Sequence, residues 1–223
     1  MAEPNTIYIF DLGGVLINLN VSRCMHAFEA LMGEENMRSV LGMDSNGEGR
    51  QASADSQATN NVTAVSIASK QLMADFERGL ISPDDFIRAV LPYCLPGTTE
   101  EQVIDAWMSM LDDLPEERLV FVDRLRAKGY PVYLLSNGND LHFDFINRTY
   151  GLDRHFVRLF LSQKMHLSKP DKAIFEEVDR LVRADNHAPE ATVLFIDDIE
   201  ANRLSAEHSV HWQTFASIQD LRL

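Results

Sequence analysis

Four short stretches of the chain are apolar at consecutive positions: IYIF (7–10), PVYLL (131–135), RLFLS (158–162) and VLFI (193–196). A strand with one wet face alternates apolar and polar residues. An unbroken apolar run instead predicts a strand covered on both faces, as in a parallel sheet. A weaker run, HWQTFA (211–216), predicts an edge strand. Between these runs the period lengthens. Leu119, Val122 and Leu125 are three apart, and Ile174, Val178 and Leu181 follow the i, i+4, i+7 stripe of an amphipathic helix. Alternation of strand and helix predicts an α/β fold, a three-layer Rossmann-like core around a parallel sheet.

The segment 18–114 carries a different pattern. VSRCMHAFEALM, SIASKQLMADFERG, SPDDFIRAVLPY and TEEQVIDAWMSML all have helical periodicity, and no strand signal lies among them. Ser82 followed by Pro83 predicts an N-cap and first-turn pair. The division that results is a core of residues 1–17 and 115–223, interrupted by a helical cap domain at 18–114. Inside the cap, DSNGEGRQASADSQATNN (44–61) has no large apolar residue and reads as a solvated surface insertion or a lid. Arg50 and Arg78 are cap arginines with two readings, solvated side chains or substrate contacts.

Composition narrows the function classes. The chain has 223 residues and a formal net charge of -14, which argues against nucleic acid or an anionic membrane as a partner. A small anionic substrate stays open, because local cationic groups suffice to bind one. The two cysteines, Cys24 and Cys94, sit in helical-looking stretches, have no metal-ligand spacing and read as reduced thiols of a cytoplasmic protein. The first apolar run is broken by Asp11 and two glycines and lacks the basic start of a signal peptide. No apolar run reaches the ~18 residues of a membrane span.

Ligands of open parallel sheets bind beyond the carboxyl ends of the strands. Asp11 leaves the first predicted strand, Ser136 and Asn137 the second, and Asp197 and Asp198 the fourth; Lys169 follows the third, in HLSKPDKAIF. Three carboxylates brought to one edge repel unless protons or a cation neutralise them. A hard divalent cation with oxygen ligands, Mg²⁺ above all, is the natural partner, and it would also polarise a phosphoryl oxygen. Lys169 and the Ser136 hydroxyl would hold further phosphate oxygens. Glycines after the first strand allow backbone amides to approach an anion closely. Each motif alone has an ordinary reading as a cap, a turn or a helix start; their order along the chain gives the joint reading its weight.

FDLGGVL, LLSN, SKPDKAIF and FIDD together resemble the four motifs of the haloacid dehalogenase-like hydrolases, a superfamily dominated by phosphatases. Within it, DLGGV, FERGLISPDDF, AWMSMLDDLP and LSNGNDLH are most similar to a bacterial sugar-phosphatase branch. The resemblance implies an aspartyl-phosphate intermediate on Asp11 and hydrolysis of a small phosphorylated metabolite, a sugar phosphate or sugar 1-phosphate. It implies Mg²⁺ held by Asp11, the Gly13 carbonyl and Asp198, with Asp197 assisting. Ser136, Asn137 and Lys169 are implied to bind phosphate.

One position departs from the family. Most of its phosphatases carry an aspartate where this chain has Gly13, and a positioned acid–base is worth roughly 10²–10⁴-fold in rate. Three consequences are open. The substrate has a good leaving group, such as an anomeric hydroxyl or an acyl phosphate; or another residue moves the proton, with His142 the candidate; or the reaction is not phosphate hydrolysis. Haloacid dehalogenases attack carbon with the same aspartate and need no metal, but the Asp197-Asp198 pair fits a metal-dependent phosphatase better. A catalytically weak phosphate-binding regulator is a further alternative, weakened by the presence of Asp11, Lys169 and Asp198.

Overall fold

The structure, a computed structural model, describes residues 5–41 and 64–221. The polar stretch 44–61 and Arg50 lie outside the described residues. The chain divides into two compact units, Leu19–Asp112 and the pair of segments Met1–Asn18 and Asp113–Leu223.

The first unit is helical: α1 (Val21–Met32), α2 (Glu34–Leu41), α3 (Ala64–Glu77), α4 (Pro83–Val90) and α5 (Glu100–Met108). Local sequence sets the helix starts. The Asn20 side chain accepts from the Arg23 N–H, and Ser82 accepts from Asp85 ahead of Pro83. Thr99 and Gln102 form a reciprocal capping box. Phe76 and Phe86 stack at 4.2 Å beside Trp107, and Phe28 meets Trp107 edge-on. The two ends of the unit run antiparallel, with Leu19 bridged to Leu111, and Arg23 fastens them by donating to the Ser109 and Leu111 carbonyls at 2.6 Å each. Cys24 is buried in α1 and its thiol is pushed up to about 12 by burial. Cys94 lies not in a helix but just after a 3-10 turn, and both thiols are free.

The second unit is a parallel sheet of β1 (Thr6–Phe10), β2 (Val132–Ser136), β3 (Arg158–Leu161), β4 (Thr192–Ile196) and β5 (Gln213–Phe215), in the order β3-β2-β1-β4-β5. Its helices are α6 (Glu116–Ala127), α7 (Asp140–Tyr150), the single turn α8 (Ser162–Met165), α9 (Lys172–Asp185) and α10 (Glu200–Val210). The unbroken apolar runs have the expected cause. Ile7 and Ile9 face a cluster with Phe175, Val178 and Val182 of α9, while Phe10 meets Phe121 of α6 edge-on. Both faces are thus dry. The α9 stripe is Ile174, Val178 and Val182, with Phe175 beside it, and Leu181 is only partly buried at its margin. Among the described residues, no helix is long and apolar enough to cross a membrane.

Candidate active site

β1 and β4 are hydrogen-bonded neighbours with Phe10 opposite Ile196, so the next residue of each, Asp11 and Asp197, leaves the sheet at one edge. The ladder continues one step further: the Asp11 N–H donates to the Ile196 carbonyl at 2.8 Å and the Asp197 N–H to the Phe215 carbonyl at 3.1 Å. Backbone pairing therefore fixes both residues before any side-chain contact. Asp198 comes next, and one carboxylate oxygen from each of the three aspartates lies within 4.8 Å of the others.

Lys169 is wedged among them. Its Nζ stands 2.9 Å from Asp11 Oδ1 and 2.6 Å from Asp197 Oδ2, and donates to the Leu135 carbonyl at 3.1 Å. An ammonium has three hydrogens, and all three are engaged. Burial raises the Asp11 carboxyl, the Lys169 charge pulls it back and the Asp197 charge adds to the rise, leaving it at about 7. For Lys169, burial works against the charge, but the Asp11 and Asp197 carboxylates outweigh it and hold the ammonium above its ordinary range. The Asp198 carboxyl is also raised, first by burial and then by Asp197. Three carboxylates facing one ammonium leave an excess of negative charge, the setting in which a divalent cation gains most.

The two neighbouring aspartates are used differently. Asp197 Oδ1 accepts from the Ile199 N–H at 2.9 Å and Asn202 Nδ2 at 3.1 Å; its Oδ2 accepts from Lys169 and from Asn202 at 3.0 Å. Its lone pairs are spoken for. The Asp198 carboxylate instead lies close against Gly14, where an added Cβ would come 2.3 Å from Asp198 Oδ2. Gly14 has φ 74°, so both conformation and space require glycine. Arg203 holds the turn from below, its Nη1 donating to the Asp197 and Asp198 carbonyls at 2.7 and 2.9 Å. The hard oxygens of Asp11 and Asp198, packed on a backbone without side chains, fit a small oxygen-coordinated cation such as Mg²⁺.

Other residues singled out in the sequence are arranged around this cluster in distinct ways. Asp11 Oδ1 takes the Leu12 N–H at 2.7 Å as well as Lys169, and neither donor is directed to Oδ2. Gly13 bridges to Ile17, and the Gly14 N–H donates to the Ile17 carbonyl at 2.9 Å, making a tight turn. Ser136 ends β2, and its hydroxyl lies 3.2 Å from the Asn137 carbonyl. The Asn137 carboxamide is turned to Lys169: Nδ2 donates to the Lys169 carbonyl at 2.8 Å and Oδ1 accepts its N–H at 2.9 Å. His142 lies on the first turn of α7, engaged with the cap of its own helix. Asn139 Oδ1 accepts the His142 N–H at 3.0 Å, which turns Asn139 Nδ2 to His142 Nδ1 at 3.3 Å. With Nδ1 accepting, the neutral ring carries its proton on Nε2. Arg78 is half-buried beside Glu77, whose carboxyl is raised by burial against the pull of the Arg78 charge.

Several residues of this edge escape the sequence reading. Asn202 and Arg203 support the aspartate pair from the first turn of α10. The Ser162 hydroxyl accepts the Gly138 N–H at 3.0 Å, pinning the loop after β2 to the end of β3. Gln163 is 4% exposed, and among the described residues neither end of its carboxamide has a hydrogen-bond partner. The asparagine that closes FIDDIEAN and a Ser-Gln pair at a strand end are the only signals, and neither says which partner it will meet.

A parallel sheet that gathers an aspartate triad and a buried lysine at the ends of β1, β4 and the β3 segment defines a hydrolase core of one particular kind. The chain belongs to the haloacid dehalogenase-like hydrolase family, whose model matches residues 6–208. It is similar to the D-ribitol-5-phosphate phosphatase of Bacteroides thetaiotaomicron, 26% identical over 200 residues that span 87% of this chain and 83% of that protein. Among solved structures, a HAD family enzyme of the same organism superposes with a TM-score of 0.72 at 27% identity, covering 95% of this chain and 92% of that one. The wild-type form of that enzyme in complex with magnesium and inorganic phosphate gives 0.70 at 26% identity, covering 98% and 96%.

Proposed function

We propose that this protein is a Mg²⁺-dependent phosphatase that hydrolyses a small phosphorylated sugar or polyol through an aspartyl-phosphate intermediate on Asp11. The observation that carries this reading is the buried Lys169 wedge between Asp11 and Asp197, 2.9 and 2.6 Å away, beside the exposed carboxylate of Asp198. The D-ribitol-5-phosphate phosphatase relative supports the substrate class, and the neighbour's complex with magnesium and inorganic phosphate supports the cation.

Asp11, Asp198 and the Gly13 carbonyl would hold Mg²⁺, which when bound offsets the carboxylate charge and polarises a phosphoryl oxygen. The Asp11 carboxylate forms a bond to phosphorus as the bond to the leaving oxygen breaks. Lys169 favours the ionised form of Asp11 and aims it, and it meets a phosphoryl oxygen by exchanging one of its three bonds. Asp197 acts through Lys169, which it holds in place. Ser136 offers a hydroxyl donor to the phosphoryl group. The departing oxygen takes a proton; Gly13 has none to give, and His142, with its proton on Nε2, is the proposed source. Water then adds at phosphorus and returns a proton to His142 as the bond to Asp11 breaks, which regenerates the carboxylate and releases inorganic phosphate. The helical unit Leu19–Asp112 is the candidate cap domain and carries the substrate preference in this reading.

Phosphate release from glucose 1-phosphate, glucose 6-phosphate, ribitol 5-phosphate and acetyl phosphate, with Mg²⁺ and with chelator, tests the proposal beside Asp11→Asn. Mg²⁺-dependent turnover that Asp11→Asn abolishes is expected. A folded wild-type protein inert on every member overturns it and returns dehalogenation or silent binding as the readings to test.

A further inference from the structure

The Asn137 carboxamide satisfies both backbone polar groups of one residue 32 positions away: it gives an N–H to the Lys169 carbonyl at 2.8 Å and takes the Lys169 N–H at 2.9 Å. Lys169 lies in neither helix nor strand, so no ladder fixes its backbone. Its side chain is 1% exposed and ends on the Leu135 carbonyl, two residues before Asn137. The end of β2 thus holds Lys169 twice, at the main chain through Asn137 and at the ammonium through Leu135.

A lysine ammonium is a point charge on a flexible four-carbon stem, with three donors free to rotate. To satisfy Asp11, Asp197 and Leu135 together, its Cα must be placed correctly. An anion-binding role for the Asn137 side chain fits poorly: Oδ1 is an acceptor and one Nδ2 hydrogen is committed. We propose that Asn137 is a positioning residue for Lys169, its carboxamide clamping the Lys169 backbone so that the ammonium reaches both buried carboxylates. The Ser162 hydroxyl on the Gly138 N–H, one residue further along, pins the same loop at 3.0 Å. The kinetic arm of the test below rests on the phosphatase reading; the chemical-labelling arm does not.

The test uses the full chain as wild type, Asn137→Ala, Asn137→Asp, Lys169→Met and the Asn137→Ala/Lys169→Met double variant. A short pulse of acetic anhydride followed by peptide mass spectrometry reads the acetylation of Lys169, with the exposed Lys164 and Lys172 as internal references. Lys169 is expected to be protected in wild type and labelled several times faster in Asn137→Ala, with the references unchanged. Asn137→Asp keeps the acceptor for the Lys169 N–H and is expected to fall between the two; it decides alone if Asn137→Ala does not fold. With Mg²⁺ and the best substrate of the panel, kcat of Asn137→Ala is expected to fall roughly 10²-fold, as for a misplaced catalytic group. KM should stay within about twofold. In the Lys169→Met background, Asn137→Ala should cost nothing more, because a clamp acts only through what it holds. Lys169 equally protected in all folded Asn137 variants overturns the proposal, as does a loss confined to KM that adds in full to Lys169→Met. A wild-type protein without turnover sinks the phosphatase reading, and the labelling still decides the clamp.

Discussion

The Lys169 ammonium and the Asp197 carboxylate meet at 2.6 Å with side-chain exposures of 1% and 0%. Water cannot stand in for either partner. Removing one charge from a buried pair leaves the other unpaired, which costs about 3–5 kcal/mol. Lys169→Met is therefore expected to lower stability above neutral pH by about that much and to cut turnover by roughly 10²–10³-fold, leaving a measurable residual rate. Urea unfolding of the metal-free protein checks the first part; a loss below about 1 kcal/mol would contradict it.

The raised Asp11 carboxyl makes the stability of the metal-free protein depend on pH with a definite sign. Its pKa is about 7 in the folded state against the ordinary 3.8. Between these values the folded chain keeps a proton that the unfolded chain releases. The stability contributed by Asp11 is thus full below 3.8, falls as pH rises toward 7 and is flat above it. Asp11→Asn should remove the Asp11 share of the slope, leaving the smaller part of the same sign that the raised Asp198 and Glu77 carboxyls contribute. Mg²⁺ should raise the melting temperature more at about pH 8 than at about pH 5, because a cation competes with the proton for the carboxylates. Scanning calorimetry in chelator and in Mg²⁺ reads both.

Gly14→Ala would set a methyl 2.3 Å from Asp198 Oδ2 and force alanine to φ 74°. The expected result is a folded protein whose half-saturating Mg²⁺ concentration rises by roughly 10–100-fold, the range seen when supports of metal ligands are lost. An activity titration with Mg²⁺ measures it, and an unchanged midpoint would argue that Asp198 is not a ligand.

Gly13→Asp restores an acid two residues after Asp11. The benefit of proton donation grows as the leaving group worsens. The ratio of turnover on ribitol 5-phosphate to that on acetyl phosphate should therefore increase, by roughly 10-fold or more. A ratio that stays constant would mean that proton transfer is already provided, with His142 the residue to mutate next.

Gln163 buries a carboxamide with neither end bonded among the described residues. Each such orphan is unfavourable by about 1–3 kcal/mol. Gln163→Met keeps the shape and removes the polar atoms, so the metal-free protein should become more stable by about 1 kcal/mol. Chemical denaturation decides; destabilisation would mean that the amide is solvated or bound in solution.

Much of this architecture is legible from local pattern. Consecutive apolar positions mark β1 to β4 because both faces of the sheet are covered, and Asp11, Asp197 and Asp198 stand out because each ends such a run. Lys169 is legible as a charge beside a proline, but not as a side chain with three specific partners. That depends on the ladder register that sets Asp11 beside Asp197, and on Asn137 reaching across 32 residues. The same holds for Asn202 and Ser162, whose partners are brought to them by tertiary packing. Local pattern also misjudges details: Val182 rather than Leu181 completes the buried stripe of α9, and Cys94 falls after a turn. Asn137 reads as one more polar residue at a strand end until its carboxamide is seen closed on the Lys169 backbone.

The strand order β3-β2-β1-β4-β5 has a consequence for synthesis. β1 is made first yet lies at the centre, and the partner that brings Asp197 beside Asp11, β4, is made about 180 residues later. A ribosome emitting this chain holds an incomplete sheet in which Asp11 lacks its neighbouring carboxylate, Asp197, until β4 is made. Until β4 emerges and pairs with β1 the three aspartates have no common edge, so the order of the strands in space makes the acidic cluster one of the last parts of the sheet to assemble during synthesis.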